Sequence, residues 1–505
     1  MMKRIIRILS LAGILCAAGL QVSAEKLVIL HTNDTHSQID PDDKDNRGGI
    51  ARRKVIVDSV RGAEKNMLLV DAGDAVQGTL YFNLYGGVVE QKAMNALGYD
   101  LRILGNHEFD NGIDALAKVL DESDAEFLAT NYKLDNTPLA EEFEKYSIRE
   151  FDGKRIGFIA INLKPEGMIA DGNYNGLVYT DAVEAANASA WWLKNVEHCD
   201  LVVAITHIGY DPAVPPGDKS LAESTRNIDI IIGGHSHDLI DPDKDNLQWR
   251  VKNLDGKEVL VTQVGKQGKN VGEISIDLDN GTADYRVIPV TARYDDRLDP
   301  AMAELIAPYR AGVDSLMQVP AGRTAKELGQ LSPELLNWAT DIVLERGRRI
   351  APDVDFAILN KGGLRRGLPK GMITEGQIIT MLPFDNHIQI IDIKGADLLD
   401  AFRQMAAIGG NGVSDGVEID YTTTTEGKPE IISARLNGKD IEPDITYRVA
   451  TIDYLANGGD YMPTLANHTT VASSSDVLYN DVLAYLRGQK NKKQNPSGKL
   501  RFVNK

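Results

Sequence analysis

Short, nearly unbroken apolar runs recur through the first half of the chain, and several of them end in a residue able to hold a metal. The run 27–30 leads to Asp34 and His36, the run 67–70 to Asp74, and the run 101–104 to Asn106 and His107. Residues 201–205 lead directly to His207, and residues 228–232 to His235 and His237. Apolar runs of this length predict strands covered on both faces. In layered α/β folds, ligands collect at the carboxyl ends of such strands. Helical spacing over 88–97, 113–120 and 181–196 separates these strands from one another and from further ones at 127–130 and 156–161. That alternation predicts a layered α/β domain over 25–295, finished by hairpin-like strands at 259–264, 274–278 and 285–292.

The pattern changes after that. Residues 295–318 read as one helix with Pro320 just beyond it, which makes 296–320 a connector. From 321 to 505 the pattern is α+β. Ser332 is placed to cap a helix opening with Pro333 and Glu334, strands follow at 354–359 and 388–393, and a helix follows at 396–407. Gly-rich loops carry Asn360, Arg365 and Asp460.

Composition adds an address. A chain of 505 residues exceeds what one core usually fills. Residues 1–24 combine Lys3, Arg4 and Arg7, an apolar stretch, and a small-residue site ending at Ala24, so they read as a secretory signal peptide. Leu15 before Cys16 argues against a lipid anchor, and no other run is long enough to span a bilayer. The expectation is a periplasmic or secreted monomer without a membrane anchor. Cleavage removes three positive charges and takes the formal net charge from −18 to −18 − 3 = −21. Such acidity excludes a general nucleic-acid binder, which requires clustered Lys and Arg. Only Cys199 remains after cleavage, so no internal disulfide forms.

The candidate metal ligands are Asp34, His36, Asp74, Asn106, His207, His235 and His237. Mixed imidazole, carboxylate and amide donors suit Zn, Mn, Co or Fe. Seven ligands exceed one tetrahedral ion and suit two ions sharing a carboxylate, for which Asp74 is the candidate. Two such ions can hold a hydroxide between them and serve an in-line displacement. His107 is then free to stabilise charge or protonate a leaving oxygen, with Asp110 either orienting its ring or capping the helix that follows.

The segments Asn33-Asp34-Thr35-His36, Gly73-Asp74, Gly105-Asn106-His107-Glu108, Thr206-His207 and Gly233-Gly234-His235-Ser236-His237 resemble the calcineurin-like metallophosphoesterases, and their longer forms resemble the 5′-nucleotidase branch. The resemblance implies a four-layer β-sandwich flanked by helices, then a connecting helix and a smaller α+β substrate domain. It also implies that the seven residues bind two metals and that His107 and Asp110 form a catalytic dyad. By the same resemblance Phe384 and Tyr454 hold the nucleoside base, Asn360 and Arg365 face phosphate and ribose, and Asp460 takes the ribose hydroxyls. The alternative for the two rings is ordinary core packing. An additional arginine common in that family has no clean counterpart, and Arg323, Lys326 and Arg366 are the candidates. The expected function is release of phosphate from nucleotides. The alternatives are a 2′,3′-cyclic-nucleotide phosphodiesterase with 3′-nucleotidase activity, a UDP-sugar hydrolase, or a secreted nucleotide-binding protein without activity.

Overall fold

A computed structural model describes residues 25–212, 215–244, 246–424, 427–490 and 492–505. The leader 1–24, with Cys16, lies outside the described residues.

The apolar runs become the middle strands of two stacked sheets. In the seven-stranded sheet Lys26–Thr32, Asn66–Asp71, Leu101–Arg102 and Glu126–Leu128 lie parallel and in sequence order. In the six-stranded sheet Lys154–Asn162, Leu201–His207, Ile230–Ile232 and Glu258–Thr262 are likewise parallel. Antiparallel strands close both edges of the six-stranded sheet, and Asn270–Asp277 lies antiparallel beside Lys26–Thr32 in the other. Leu27, Ile29 and Val70 face Phe158, Val203 and Ile232 across the inter-sheet core. Val28, Leu30 and Leu69 face outward and are covered with Val89, Met94 and Leu97 of the helix Val88–Leu97. Val202 and Ala204 of the second sheet are covered by Ala186 and Leu193 of the helix Ala182–Asn195. Both faces of each strand are therefore dry, which is why the runs are apolar without alternation. The result is helix, sheet, sheet, helix: the four layers expected.

The expected helix over 295–318 begins later. Asp295 lies in a 3₁₀ turn, Ala292–Arg297, where its carboxylate is taken by the Arg52 guanidinium at 2.6 Å. Asp299 is the cap instead, accepting from the Ala301 amide at 2.9 Å, and Pro300 opens the helix Pro300–Gln318. Met302 and Ile306 anchor this helix in the outer core of the first domain, while Met317 meets Gly376 of the second. The strand expected at 101–104 is also shorter. Asn162 donates its side-chain amide to the Leu104 carbonyl, and only Leu101–Arg102 stays in the ladder.

The second domain is a five-stranded mixed sheet around Phe356–Leu359, Thr446–Ile452 and His387–Lys394. Helices Pro333–Ile350 and Gly395–Ala407 pack on it through Val343, Leu398 and Phe402 to form one continuous core. Ser332 caps the first helix through the Leu335 amide at 3.2 Å. Among the described residues, no helix is long and apolar enough to cross a membrane. Cys199 is buried and free, with its thiol pushed up by burial.

Candidate metal centre and substrate cavity

The parallel strands of both sheets end on one edge of the sandwich, and their following loops meet there. Asp34, His36 and His237 form one group whose ligand atoms lie within 4.8 Å of one another, and Asp74, His207 and His235 form a second. Asp74 stands between them: its Oδ2 is 3.2 Å from His207 Nε2 and 4.0 Å from His36 Nε2. The Asn106 amide oxygen joins the second group, 3.0 Å from His235 Nδ1. All seven expected ligands are thus brought together.

Their backbone is unusual. Asp34, His36, Asp74, His235 and His237 all have positive φ, between 46° and 79°. Non-glycine residues adopt this conformation at a cost, and it clusters at functional sites. Local bonds hold it. The Asp34 amide donates to the Gly73 carbonyl at 2.9 Å and the His36 amide to the Asp74 carbonyl at 3.0 Å, so the first two loops pair beyond their strands. A Cβ at Gly105 would overlap the Asp74 carboxylate, and one at Gly234 would come within 2.9 Å of His207 Nδ1. Those two glycines let the loops approach.

Glu108 is the fastener that the sequence left without a role. Its buried carboxylate accepts from the amides of Gly105 at 2.6 Å, Asp74 at 3.0 Å and Ala75 at 2.8 Å, tying two ligand loops together. A long acid directly after the dyad histidine, in a loop that must not move, was the available signal. Asn33 does a similar service for Asp34, donating at 2.6 Å to Oδ2.

The electrostatics favour cations. Burial, with Asp74 adding to it, pushes the Asp34 carboxyl up to about 7. Burial and then positive neighbours, Arg365 among them for His36, hold His36 and His237 well below the ordinary imidazole range, and His235 falls to about 3. Three rings are therefore neutral and offer lone pairs. His207 is also buried, but Asp74 and Asp34 outweigh that and lift it to about 10. Its Nδ1 is fixed by the Ala72 carbonyl at 2.7 Å, which leaves Nε2 directed at Asp74 Oδ2, 3.2 Å away. The mixed imidazole, carboxylate and amide donor set, gathered in two groups, fits a pair of divalent ions.

His107 lies beside the centre. Its Nδ1 is 2.9 Å from Asp110 Oδ2, and its backbone amide donates to Asp74 Oδ1 at 2.9 Å. Asp110 does not cap the next helix, whose N-cap position is Gly112. Burial disfavours the His107 imidazolium, yet Asp110 and Asp74 prevail and raise its pKa.

A cavity of about 470 Å³ opens from this dyad into the cleft between the domains. Asn106, His107 and Asp110 line it from one side, and Asn360, Arg365, Phe384, Tyr454 and Asp460 from the other. Phe384 lies over the His107 ring, with centroids 5.8 Å apart and planes 27° apart, and the Arg365 guanidinium is 5.9 Å from the Phe384 ring centre. Both expected clamp rings thus border the cavity. Lys361 turns away to the Ile408 carbonyl at 2.6 Å. The three candidates for the additional arginine are elsewhere: Arg366 pairs with Asp42 and Lys326 with Glu334, both at 3.0 Å, and Arg323 is exposed on the strand Pro320–Thr324. Arg365 is the one Lys or Arg among the described lining residues.

The two sheets with paired ligand loops define a calcineurin-like phosphoesterase, and the sequence model of that family matches residues 27–239. The model of the 5′-nucleotidase C-terminal domain matches residues 315–467, and the chain belongs to the 5′-nucleotidase family of metal-dependent phosphoesterases. It is 27% identical to human 5′-nucleotidase, over 98% of this chain and 93% of that one. It is 27% identical to the trifunctional nucleotide phosphoesterase protein YfkN of Bacillus subtilis over 86% of this chain, and spans 32% of that longer protein. A 5′-nucleotidase precursor from Thermus thermophilus superposes with a TM-score of 0.84 at 27% identity, covering 95% of this chain and 99% of that one.

Three outcomes follow from this geometry. Asp74→Ala is expected to lose or scramble both ions, with activity near background even in excess metal, whereas His36→Ala is partly rescued by added Mn. Elemental analysis showing two ions per Asp74→Ala chain would remove Asp74 from its shared position. Glu108→Gln exchanges an acceptor for an amide facing three backbone donors. It is expected to weaken metal retention about 10–100-fold in chelator titration, the range for a lost supporting partner. His107→Ala should keep its metals while turnover falls about 10²–10⁴-fold. Asp110→Asn should lose less and move the alkaline limb of the kcat profile to lower pH, because the raised His107 pKa is partly that carboxylate's effect.

Proposed function

We propose that the protein is an exported phosphohydrolase that releases phosphate from nucleotides in the manner of a 5′-nucleotidase, with a nucleoside monophosphate spanning the cleft. The observation that carries this reading is the shared cavity: Asn106 of the metal-type cluster and the His107–Asp110 dyad form one end, and two aromatic rings with a carboxylate, an amide and a guanidinium form the rest. The apolar leader at 1–24 supports export to the periplasm or medium.

In this reading Asp34, His36 and His237 would hold one divalent ion, Asn106, His207 and His235 would hold the other, and Asp74 would serve both. When bound, the ions supply positive charge for the phosphoryl oxygens and an activated water. The chain's own groups do the rest. Arg365 adds a donor pair for the phosphate. Asp110 holds His107 by Nδ1, which leaves Nε2 to face the cavity and carry the proton for the leaving oxygen. Phe384 and Tyr454 stack the base without choosing among bases, and Asp460 accepts from two ribose hydroxyls. Because Arg365 stands alone among Asp110, Asp171, Asp385, Asp453 and Asp460 in the lining, one phosphate is better matched than a chain of them. A 2′,3′-cyclic phosphodiester also brings a single phosphate, with one negative charge, which keeps that substrate as the second reading.

Phosphate release from 5′-AMP, 3′-AMP, 2′,3′-cyclic AMP and UDP-glucose, with and without chelator, tests the assignment, with 5′-AMP expected to turn over fastest and chelator to abolish release. Truncating Phe384 and Tyr454 together to Ala removes stacking of about 1–3 kcal/mol per ring. KM for the nucleotide should rise by tens of fold or more, whereas a small aryl phosphate should lose far less. Equal losses on both substrates would make the rings packing residues and remove the nucleoside from the reading.

A further inference from the structure

Each of the two cavity rings is fastened to the metal-bearing domain by a hydrogen bond across the cleft. On one side Asn83, in the short helix Leu80–Tyr85, donates its side-chain amide to the carbonyl of Pro383 at 2.6 Å, and Pro383 immediately precedes Phe384. On the other side the Tyr454 hydroxyl donates to the carbonyl of Gly167 at 3.2 Å. The same hydroxyl accepts from the Asp460 amide at 3.0 Å, so it also holds the residue assigned to the ribose.

The Asn83 bond is suited to positioning rather than to local support. Its Oδ1 is buried with no hydrogen-bond partner, so the amide is oriented by the Pro383 carbonyl alone. Among the described residues of its own domain, none takes the side chain's polar atoms. The helix that carries it is tied to the metal loop, because its cap Thr79 donates to the Ser37 carbonyl at 2.8 Å, one residue beyond His36. On the far side of the bond, Phe384 lies on the His107 ring at 5.8 Å. A closed circuit results: metal loop, Thr79, Asn83, Pro383, Phe384, dyad. The position of the ring relative to the reacting centre is therefore set through Asn83.

We propose that Asn83 and the Tyr454 hydroxyl are positioning groups that fix the base clamp against the metal-bearing domain, and that they thereby favour nucleotides over phosphate esters that do not reach the clamp. The proposal rests on the base-clamp reading above and adds to it the groups that hold the clamp in place. A misplaced ring still stacks, but it stacks at the wrong distance from the phosphorus, and misplacement of this kind weakens productive binding.

The test uses the full mature chain with added metal and compares kcat and KM for 5′-AMP and for an aryl phosphate. Asn83→Leu keeps the approximate size and removes the donor; Tyr454→Phe keeps the ring and removes the hydroxyl. Each is expected to lower the ratio of kcat/KM for AMP to that for the aryl phosphate about fivefold, the effect of one net hydrogen bond, chiefly through KM and with metal content at the wild-type level. Asn83→Gln, which retains a donor, should recover part of that ratio. Phe384→Ala is run beside them. If Phe384→Ala collapses the ratio while Asn83→Leu and Tyr454→Phe leave it within twofold, the positioning role is overturned and the clamp stands. If Phe384→Ala also leaves it unchanged, the clamp reading fails and the proposal with it. Metal loss in Asn83→Leu, with both substrates falling equally, would place Asn83 in support of the metal loop and overturn its role at the clamp.

Discussion

Asp34 and Asp74 are buried side by side where the two sheets end, and their mutual repulsion is the constraint on which the cleft depends. At such separations in a low-dielectric setting, like charges interact strongly enough to force a compensating charge or a proton. Within the chain itself, His207 offers compensation, its pKa lifted to about 10 by those same two carboxylates, and a bound ion would take the place of that proton. The neutral imidazoles around them complete a pocket better matched to external cations than to any side chain the fold supplies. Placing two carboxylates so close requires backbone that ordinary strands do not reach, hence the run of left-handed residues and the glycines that let the loops touch. Glu108, itself a buried carboxylate, holds that backbone through three amides. The activity therefore rests on a locally unfavourable arrangement stabilised by the two sheets beneath it.

Much of this was legible in the amino-acid pattern, for a physical reason. Strands dry on both faces leave unbroken apolar runs, and polar residues that follow such runs have little to do there except meet a ligand. The helices Val88–Leu97 and Ile113–Leu120 fall where their spacing puts them because each has one clear apolar face. What could not be read depends on contacts between distant segments. Asn162 takes the Leu104 carbonyl, just past the strand Leu101–Arg102, from fifty-eight residues away. Arg52 takes Asp295 and leaves Asp299 as the helix cap. Glu108 stood in plain view inside a motif, yet its role appears only when the loop bearing Asp74 folds against it. The ring of Phe384 over His107 joins residues from two domains, and no spacing in the chain encodes that.

The two domains divide the work by chemistry. The first supplies the metal-type cluster and the His107–Asp110 pair, on loops tied by backbone bonds. The second supplies area, in the form of aromatic faces and hydrogen-bonding side chains along the cavity. Arg365 is the exception that links them, since its positive field reaches His36 from the opposite domain. The end of the cavity beside His107 therefore draws on both domains.

The bonds that cross the cleft beside Phe384 and Tyr454 end on main-chain carbonyls, those of Pro383 and Gly167. A carbonyl is present whatever side chain a position carries. Replacements in those two loops that preserve the path of the backbone can therefore vary the shape and polarity of the cavity wall while the seam between the domains stays closed. Drift at the acceptor positions therefore leaves the seam intact, whereas drift at Asn83 or Tyr454, whose side chains donate, opens it.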